Sequence, residues 1–387
     1  MTPATRAGSP SSSLWAWATT ETSSPTPTMR RVPTTIRGVL MSDDLEPIPP
    51  ERAVEMHLEK IKEDLAEWTQ TTHRSELRPF VEWCREEGAI DNMNQLAGRD
   101  LYEYRIWRRE GGYSKSKVDE LAKKTLHSNL STLRSFLKFC GQIEAVHPDL
   151  YEKVPLVKLT RDDEVSDSYL APERASDIVE YLSRYEYASR DHVVWALIWH
   201  TGARLGAVRS LDLRDLELEG NQPSISFVHR PETGTPLKND ARSERVNRIS
   251  QRVAQILQDY IDGPRKETVD DHGRTPVVTT DAGRAAAGTI RKSFYRWTRP
   301  CFIGKECPHD EDPETCKFTK FRHVSGCPSA RSPHDARKAR VTKYRNDGVH
   351  RGVVSDQLNA SEDVLDKHYD RASEREKADR RWRIIQQ

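Results

Sequence analysis

From about residue 50 to 155 the apolar positions recur at intervals of three and four, most clearly in "RSELRPFVEWCREEG" and "TLHSNLSTLRSFLKFCGQIE". That period predicts amphipathic helices throughout. In the second segment Leu126, Leu130, Leu133, Leu137 and Cys140 make one continuous stripe, while Lys123, His127, Arg134 and Lys138 fall on an adjacent face. A basic face beside a core face suits a helix resting on a phosphate backbone, and it equally suits plain solvated charge. Cys84 and Cys140, each following an aromatic residue, read as core.

The charged run "TRDDEVSDS" then breaks the periodicity and reads as part of a linker. Beyond it come helices, including the strongly apolar "HVVWALIWHTG", two strand patterns, "SISFV" and "RVNRI", and helices again from about residue 251. The prediction is a mainly α protein with a small antiparallel β-sheet. It has a helical domain over 41–158, a linker over 159–171 and a second domain over 172–387. Residues 1–40 show no such period: Ser, Thr, Pro, Ala and Arg dominate and Glu21 is the single acid, a disorder signature. Our hypothesis is that translation starts at Met41, which native peptides from upstream, seen by mass spectrometry, would refute.

Length supports two domains: 387 residues exceed a single compact core. The 61 basic and 60 acidic residues nearly cancel, so any footprint for an anionic polymer has to be local. No apolar run is long enough to span a membrane, and "LWAWA" is too short for a secretory signal, so a soluble, cytoplasmic protein is expected. In such a compartment clustered thiols bind metal more often than they pair. Four of the six cysteines lie between 301 and 327, and Cys307, Cys316, His323 and Cys327 give C-x8-C-x6-H-x3-C. That set suits a structural tetrahedral zinc in an insertion spanning 301–328, with Cys301 or His309 as alternate ligands and unrelated free thiols as the plainer reading.

Three further motifs carry chemistry. "HTGARLGAVRSLDLRDL" places Thr201, Gly202 and Arg204 where one helix stops and another begins. "SPHDARKAR" puts His334 and Arg337 one helical turn apart, with Arg340 a step further. "LNASEDVLDKHYDRAS" sets Tyr369 on a short helix capped by Ser361, with Glu362 and Asp363 in its first turn. Taken singly, these read as a structural arginine, a solvated basic face and a core tyrosine beside Leu365.

As an ordered set the three motifs resemble the tyrosine recombinase, or phage integrase, family, and the closing block resembles its archaeal members. The resemblance spans about residues 50 to 387. It implies a helical, SAM-like core-binding domain and a catalytic domain of the DNA breaking-rejoining enzyme fold, which together close around double-stranded DNA at attachment or recombination sites. It also implies a reaction in which Tyr369 attacks a phosphate and forms a 3'-phosphotyrosyl link, with no ATP and no catalytic metal. A phenol of pKa about 10 is a weak nucleophile and its target is an anion, so charge has to be neutralised first. The resemblance gives that role to Arg204 and Arg337, proton acceptance or a phosphate hydrogen bond to His334, and proton donation to Lys238 in a turn longer than the family's usual one. Lys238 as an ordinary turn lysine is the alternative, and Arg340 is expected at a neighbouring phosphate or in solvent.

Two positions depart from the pattern. The family's acid three residues after the first arginine is Ala207 here, and its second His or Trp is Ala360, for which Asn359 is a candidate substitute. By the same resemblance the protein assembles as a homotetramer in synapsis and is a monomer or dimer when free. The tail, through Trp382, Ile384 and Ile385, packs on a neighbour or on its own domain. A non-catalytic DNA-binding regulator and a type IB topoisomerase-like nicking-resealing enzyme are the competing functions.

Overall fold

In a computed structural model the described residues are 45–65, 67–113, 120–160, 163, 168–368 and 374–386. The expected extension 1–40 and most of the charged run 160–168 lie outside them.

The first core is helical. Helix α1 (Pro50–Asp64) opens on a proline at its first position, where no amide hydrogen is needed, and buries Ala53, Val54, Leu58 and Ile61. Helix α2 (Glu67–Trp83) runs into a π-type turn at Cys84–Gly88, and α3 (Gly98–Arg109) follows. Helix α4 (Lys123–Gln142) buries Leu126, Leu130, Leu133, Leu137 and Cys140, the stripe that its spacing predicts. Phe136 of α4 meets Phe80 edge-on at 6.1 Å, and Phe80 meets Tyr104 at 5.4 Å, so aromatic side chains from three helices close this core. Cys84 and Cys140 are buried within it.

The second core begins at Leu170. Helix α5 (Pro172–Tyr185) packs on α6 (Arg190–Thr201), in which Val193 to Ile198 are buried without a break. A helix apolar on all sides has to be central, and Trp195 stacks on Phe294 at 4.2 Å. The short α7 (Leu205–Ser210) leads to an antiparallel sheet of β1 (Leu216–Glu217), β2 (Ser224–Phe227) and β3 (Arg245–Arg248), in that order. The β2–β3 register pairs Ser224 with Arg248 and Phe227 with Arg245. Helix α8 (Gln251–Asp262), a small hairpin of β4 (Thr279–Thr280) and β5 (Gly283–Arg284), and α9 (Ala287–Trp297) complete this layer.

After an irregular stretch come α10 (Pro333–Asn346), α11 (Arg351–Leu358), α12 (Glu362–His368) and α13 (Glu374–Ile385). Val341, Val354, Leu358, Ala360 and Leu365 form a small third core. Both strand patterns read from the sequence are strands; β1, β4 and β5, at two residues each, are too short to show a period.

The alternating Leu/Asp run after α7 is a buried ionic junction. Asp215 receives two bonds from Arg230, at 2.9 and 2.5 Å, and Asp212 receives one from Arg284. Asp270 joins them, accepting from Arg274 and Arg284 at 2.8 Å each. Burial alone would raise the Asp270 carboxyl, but the bonds from Arg284 and Arg274 outweigh it and hold the group well below the usual carboxylate range. Among the described residues no helix is long and apolar enough to cross a membrane.

Candidate active site

Gly202 ends α6 at φ 66°, its amide bonded to the Ile198 carbonyl at 2.8 Å. A Cβ at this position would stand 2.1 Å from Leu358 Cδ2, so both the backbone and the close approach of α11 require glycine. Thr201 secures the same corner: its hydroxyl donates to the Leu197 carbonyl at 2.7 Å and accepts from the Ala203 amide at 3.1 Å. The chain leaves this corner at Arg204, which begins α7 and donates to the Asn359 carbonyl at 3.1 Å.

Ser332 caps α10, exchanging bonds with Asp335, and Pro333 fills its first turn. This fixes the helix that carries His334 and Arg337. Arg337 is 1% exposed and donates to the Gly202 carbonyl at 2.6 Å and the Leu358 carbonyl at 3.1 Å. Arg245 donates to the Gln357 carbonyl at 3.2 Å, stacks on Phe227, and is lowered to about 10 by burial and by its arginine neighbours Arg337 and Arg204. Three guanidinium groups therefore converge on consecutive carbonyls at the end of α11, where the helix dipole is negative.

Arg204, Lys238, His334, Lys338, Arg242 and Lys124 are among the residues around one cleft of about 950 Å³. His334 faces into it. Loss of hydration there, then the charges of Lys338 and Arg337, lower its imidazole to about 4, so it is neutral and able to accept a proton near pH 7. Lys238 is exposed on the β2–β3 connection, and the next two residues, Asn239 and Asp240, turn through left-handed backbone. Leu237 anchors this turn: it is buried and its amide bonds His229 Nδ1 at 3.0 Å. Tyr369 lies outside the described residues.

Other residues predicted from sequence are placed differently. Arg340 does not line the cleft: its guanidinium stacks 4.0 Å from the centre of the Tyr344 ring and 5.5 Å from that of Trp199. Helix geometry accounts for this placement. Each step of three residues turns back by about 60°, so Arg340 has left the face of His334 by roughly 120°, whereas Lys338, four residues on, stays within about 40°. In α4, His127 bonds the Val157 carbonyl at 2.7 Å, Arg134 and Lys138 lie over Tyr151, and Lys123 pairs with Asp163 at 3.5 Å. From that helix it is Lys124, unremarked by its periodicity, that reaches the cleft. Ala207 and Ala360 are both buried at 7% exposure in apolar cores, and the Asn359 amide bonds the Arg242 carbonyl at 3.0 Å.

Cys301, Cys307, Cys316 and Cys327 surround a cavity of about 80 Å³ together with His309 and Arg299, while His323 is exposed and absent from its walls. Among the described residues no three cysteine, histidine or acidic side chains are already drawn together as a metal-ligand group.

The fold and cleft define a class: a mainly helical protein whose clustered arginines, histidine and lysine suit an anionic phosphate ester. Residues 57–142 match the family described as phage integrase, N-terminal SAM-like domain. The chain is 20% identical over 235 residues to tyrosine recombinase XerC of Lactobacillus delbrueckii subsp. bulgaricus, covering 59% of this chain and 72% of that protein. It is 19% identical over 220 residues to tyrosine recombinase XerD of Oceanobacillus iheyensis, covering 56% and 66% respectively. Two solved structures share the fold. The Tn1549 transposon integrase in complex with a circular intermediate DNA does so with a TM-score of 0.57 and 15% identity, over 86% of this chain and 99% of that one. A lambda integrase dimer bound to a COC' core site does so with a TM-score of 0.51 and 12% identity, over 83% and 76%. Residues 57–142 therefore carry the integrase N-terminal SAM-like domain, and the chain as a whole is similar to tyrosine recombinases in sequence and to integrases in fold.

Proposed function

We propose that this protein cuts and rejoins double-stranded DNA at specific sites through a covalent 3'-phosphotyrosyl intermediate on Tyr369. The observation that carries the reading is the convergence of Arg204, His334 and Lys238 on one cleft, with Arg337 directly behind it. Tyr369 attacks the phosphorus, the bond to the 5' oxygen breaks, and the phosphate stays on the tyrosine. Neutral His334 accepts the phenol proton and Lys238 protonates the departing 5' oxygen. Arg204 offers its donors to the nonbridging oxygens, and Arg337, from behind the cleft, adds positive charge where the five-coordinate transition state gathers negative charge. The 5'-hydroxyl of a partner duplex then reverses the step, so the link conserves the phosphodiester energy and no ATP is consumed. Two rounds of exchange take place in a homotetramer assembled from free monomers or dimers.

Ala360 favours a second reading, a DNA-binding regulator, because an alanine supplies no hydrogen bond to phosphate. Incubation with plasmids carrying paired candidate attachment DNA from beside the gene separates the functions. Recombinant circles support the proposal, relaxation of supercoils alone supports a topoisomerase, and salt-dependent binding without strand cleavage supports the regulator.

A further inference from the structure

We propose that Cys301, Cys307, Cys316 and Cys327 bind one structural zinc ion as a tetrathiolate, with Arg299 as its buried counter-charge and without His323. The stretch between α9 and α10 has only short 3-10 turns, at Pro300–Ile303, Lys317–Thr319 and Val324–Gly326. Of its hydrophobic side chains only Ile303 and Val324 are buried. So little apolar burial does not offset the entropy of ordering a segment of this length, and a metal staple is the usual remedy.

All four thiols line one cavity of about 80 Å³, which leaves room for a single ion between them. An independent observation points to what fills it. Arg299 lines the same cavity and is 1% exposed; its NH1 donates to the Phe318 carbonyl at 2.7 Å, but its other terminal nitrogen, NH2, is buried without a hydrogen-bond partner. A buried unpartnered donor on a cation is costly and calls for an anion. Four thiolates around divalent zinc carry a net double negative charge, and a guanidinium N–H directed at a zinc-bound sulfur is the outer-sphere contact such a centre needs. His309, which also lines the cavity, bonds the Ser329 hydroxyl through Nε2 at 2.8 Å, which suits an outer partner as well as a ligand. Binding would release the thiol protons, draw the sulfurs onto the ion, and contribute its free energy to ordering the segment.

The site bears on the active centre through the chain that follows Cys327. Arg174 donates to the Ser329 carbonyl at 2.9 Å and Arg331 to the Tyr169 carbonyl at 2.7 Å, and the next residue, Ser332, caps the helix of His334 and Arg337. The zinc would brace the entry to that helix and take no part in proton or phosphoryl transfer.

The full chain, purified without chelator, should contain about one zinc per molecule by elemental analysis. In the native protein a thiol reagent should find four protected cysteines that open on chelation, Cys84 and Cys140 staying buried. Replacement by cobalt should give the intense visible bands of tetrahedral thiolate coordination. His323→Ala should retain the metal, whereas Cys301→Ser should lose it at least tenfold more readily. The proposal is overturned by thiols that react from the outset with no metal present, by thiols released only by a reductant, or by loss of zinc in His323→Ala with retention in Cys301→Ser. The thiol titration decides the matter in the native chain even if a cysteine variant fails to fold.

Discussion

Arg337 and Lys238 are assigned to opposite ends of one reaction and are built in opposite ways. Arg337 is enclosed, its donors resting on the carbonyls of Gly202 and Leu358, whereas Lys238 stands exposed on a long turn anchored by Leu237. The contrast follows from charge. A guanidinium stays protonated when buried, so it can be fixed in advance where negative charge will accumulate. An ammonium that must give up a proton is better kept in water until the substrate arrives, because burial would strip that proton early.

The comparison can be broken by substitution. Arg337→Ala should reduce covalent adduct formation by ~1000-fold and also lower the melting temperature, since it removes partners from two buried carbonyls. Lys238→Ala should reduce cleavage by ~100-fold with an unchanged melting temperature, and activity should return on DNA whose leaving atom is sulfur and needs no proton. A melting temperature that falls equally in both variants would erase the distinction. Gly202→Ala tests the corner that brings Arg204 beside Arg337. The left-handed φ and the encounter with Leu358 should cost about 2 to 4 kcal/mol, read by denaturant unfolding.

The smallest expected effect is on pH dependence. His334 is lowered from 6.5 to about 4, as are His57 and His192. Between those values the unfolded chain binds more protons than the folded one, so stability should fall as pH drops from 6.5 toward 4 and be insensitive to these groups above 6.5. His334→Gln should flatten part of that slope in melting curves. The acid limb of cleavage by the free enzyme should sit near 4 rather than 6.5.

The two cores also differ in how far the sequence discloses them. Helix α4 lies where its apolar period places it, because a helix with one buried stripe writes its face into the chain. The corner at Gly202 was readable as a helix stop, since glycine is what a left-handed end demands. The role of Arg245 was not. It comes from a short strand and meets α11 across 112 residues, and no local pattern encodes such a contact. Lys338 stands outside the His, Arg, Arg spacing of three, although a spacing of four keeps better to one face. Spacing left Cys301 and His309 as alternates to His323, because an irregular segment has no period from which to tell which side chains turn inward.

The chemistry proposed for Tyr369 leaves a covalent product that can be trapped. A nicked duplex bearing the candidate site, which traps the cleaved strand, is incubated with the protein and resolved on a denaturing gel, and the nucleotide-bearing peptide is sequenced by mass spectrometry. The account predicts a covalent protein-DNA band with the phosphate on Tyr369, absent in Tyr369→Phe. A band that survives in Tyr369→Phe, or no band on a substrate that the protein demonstrably binds, would contradict it.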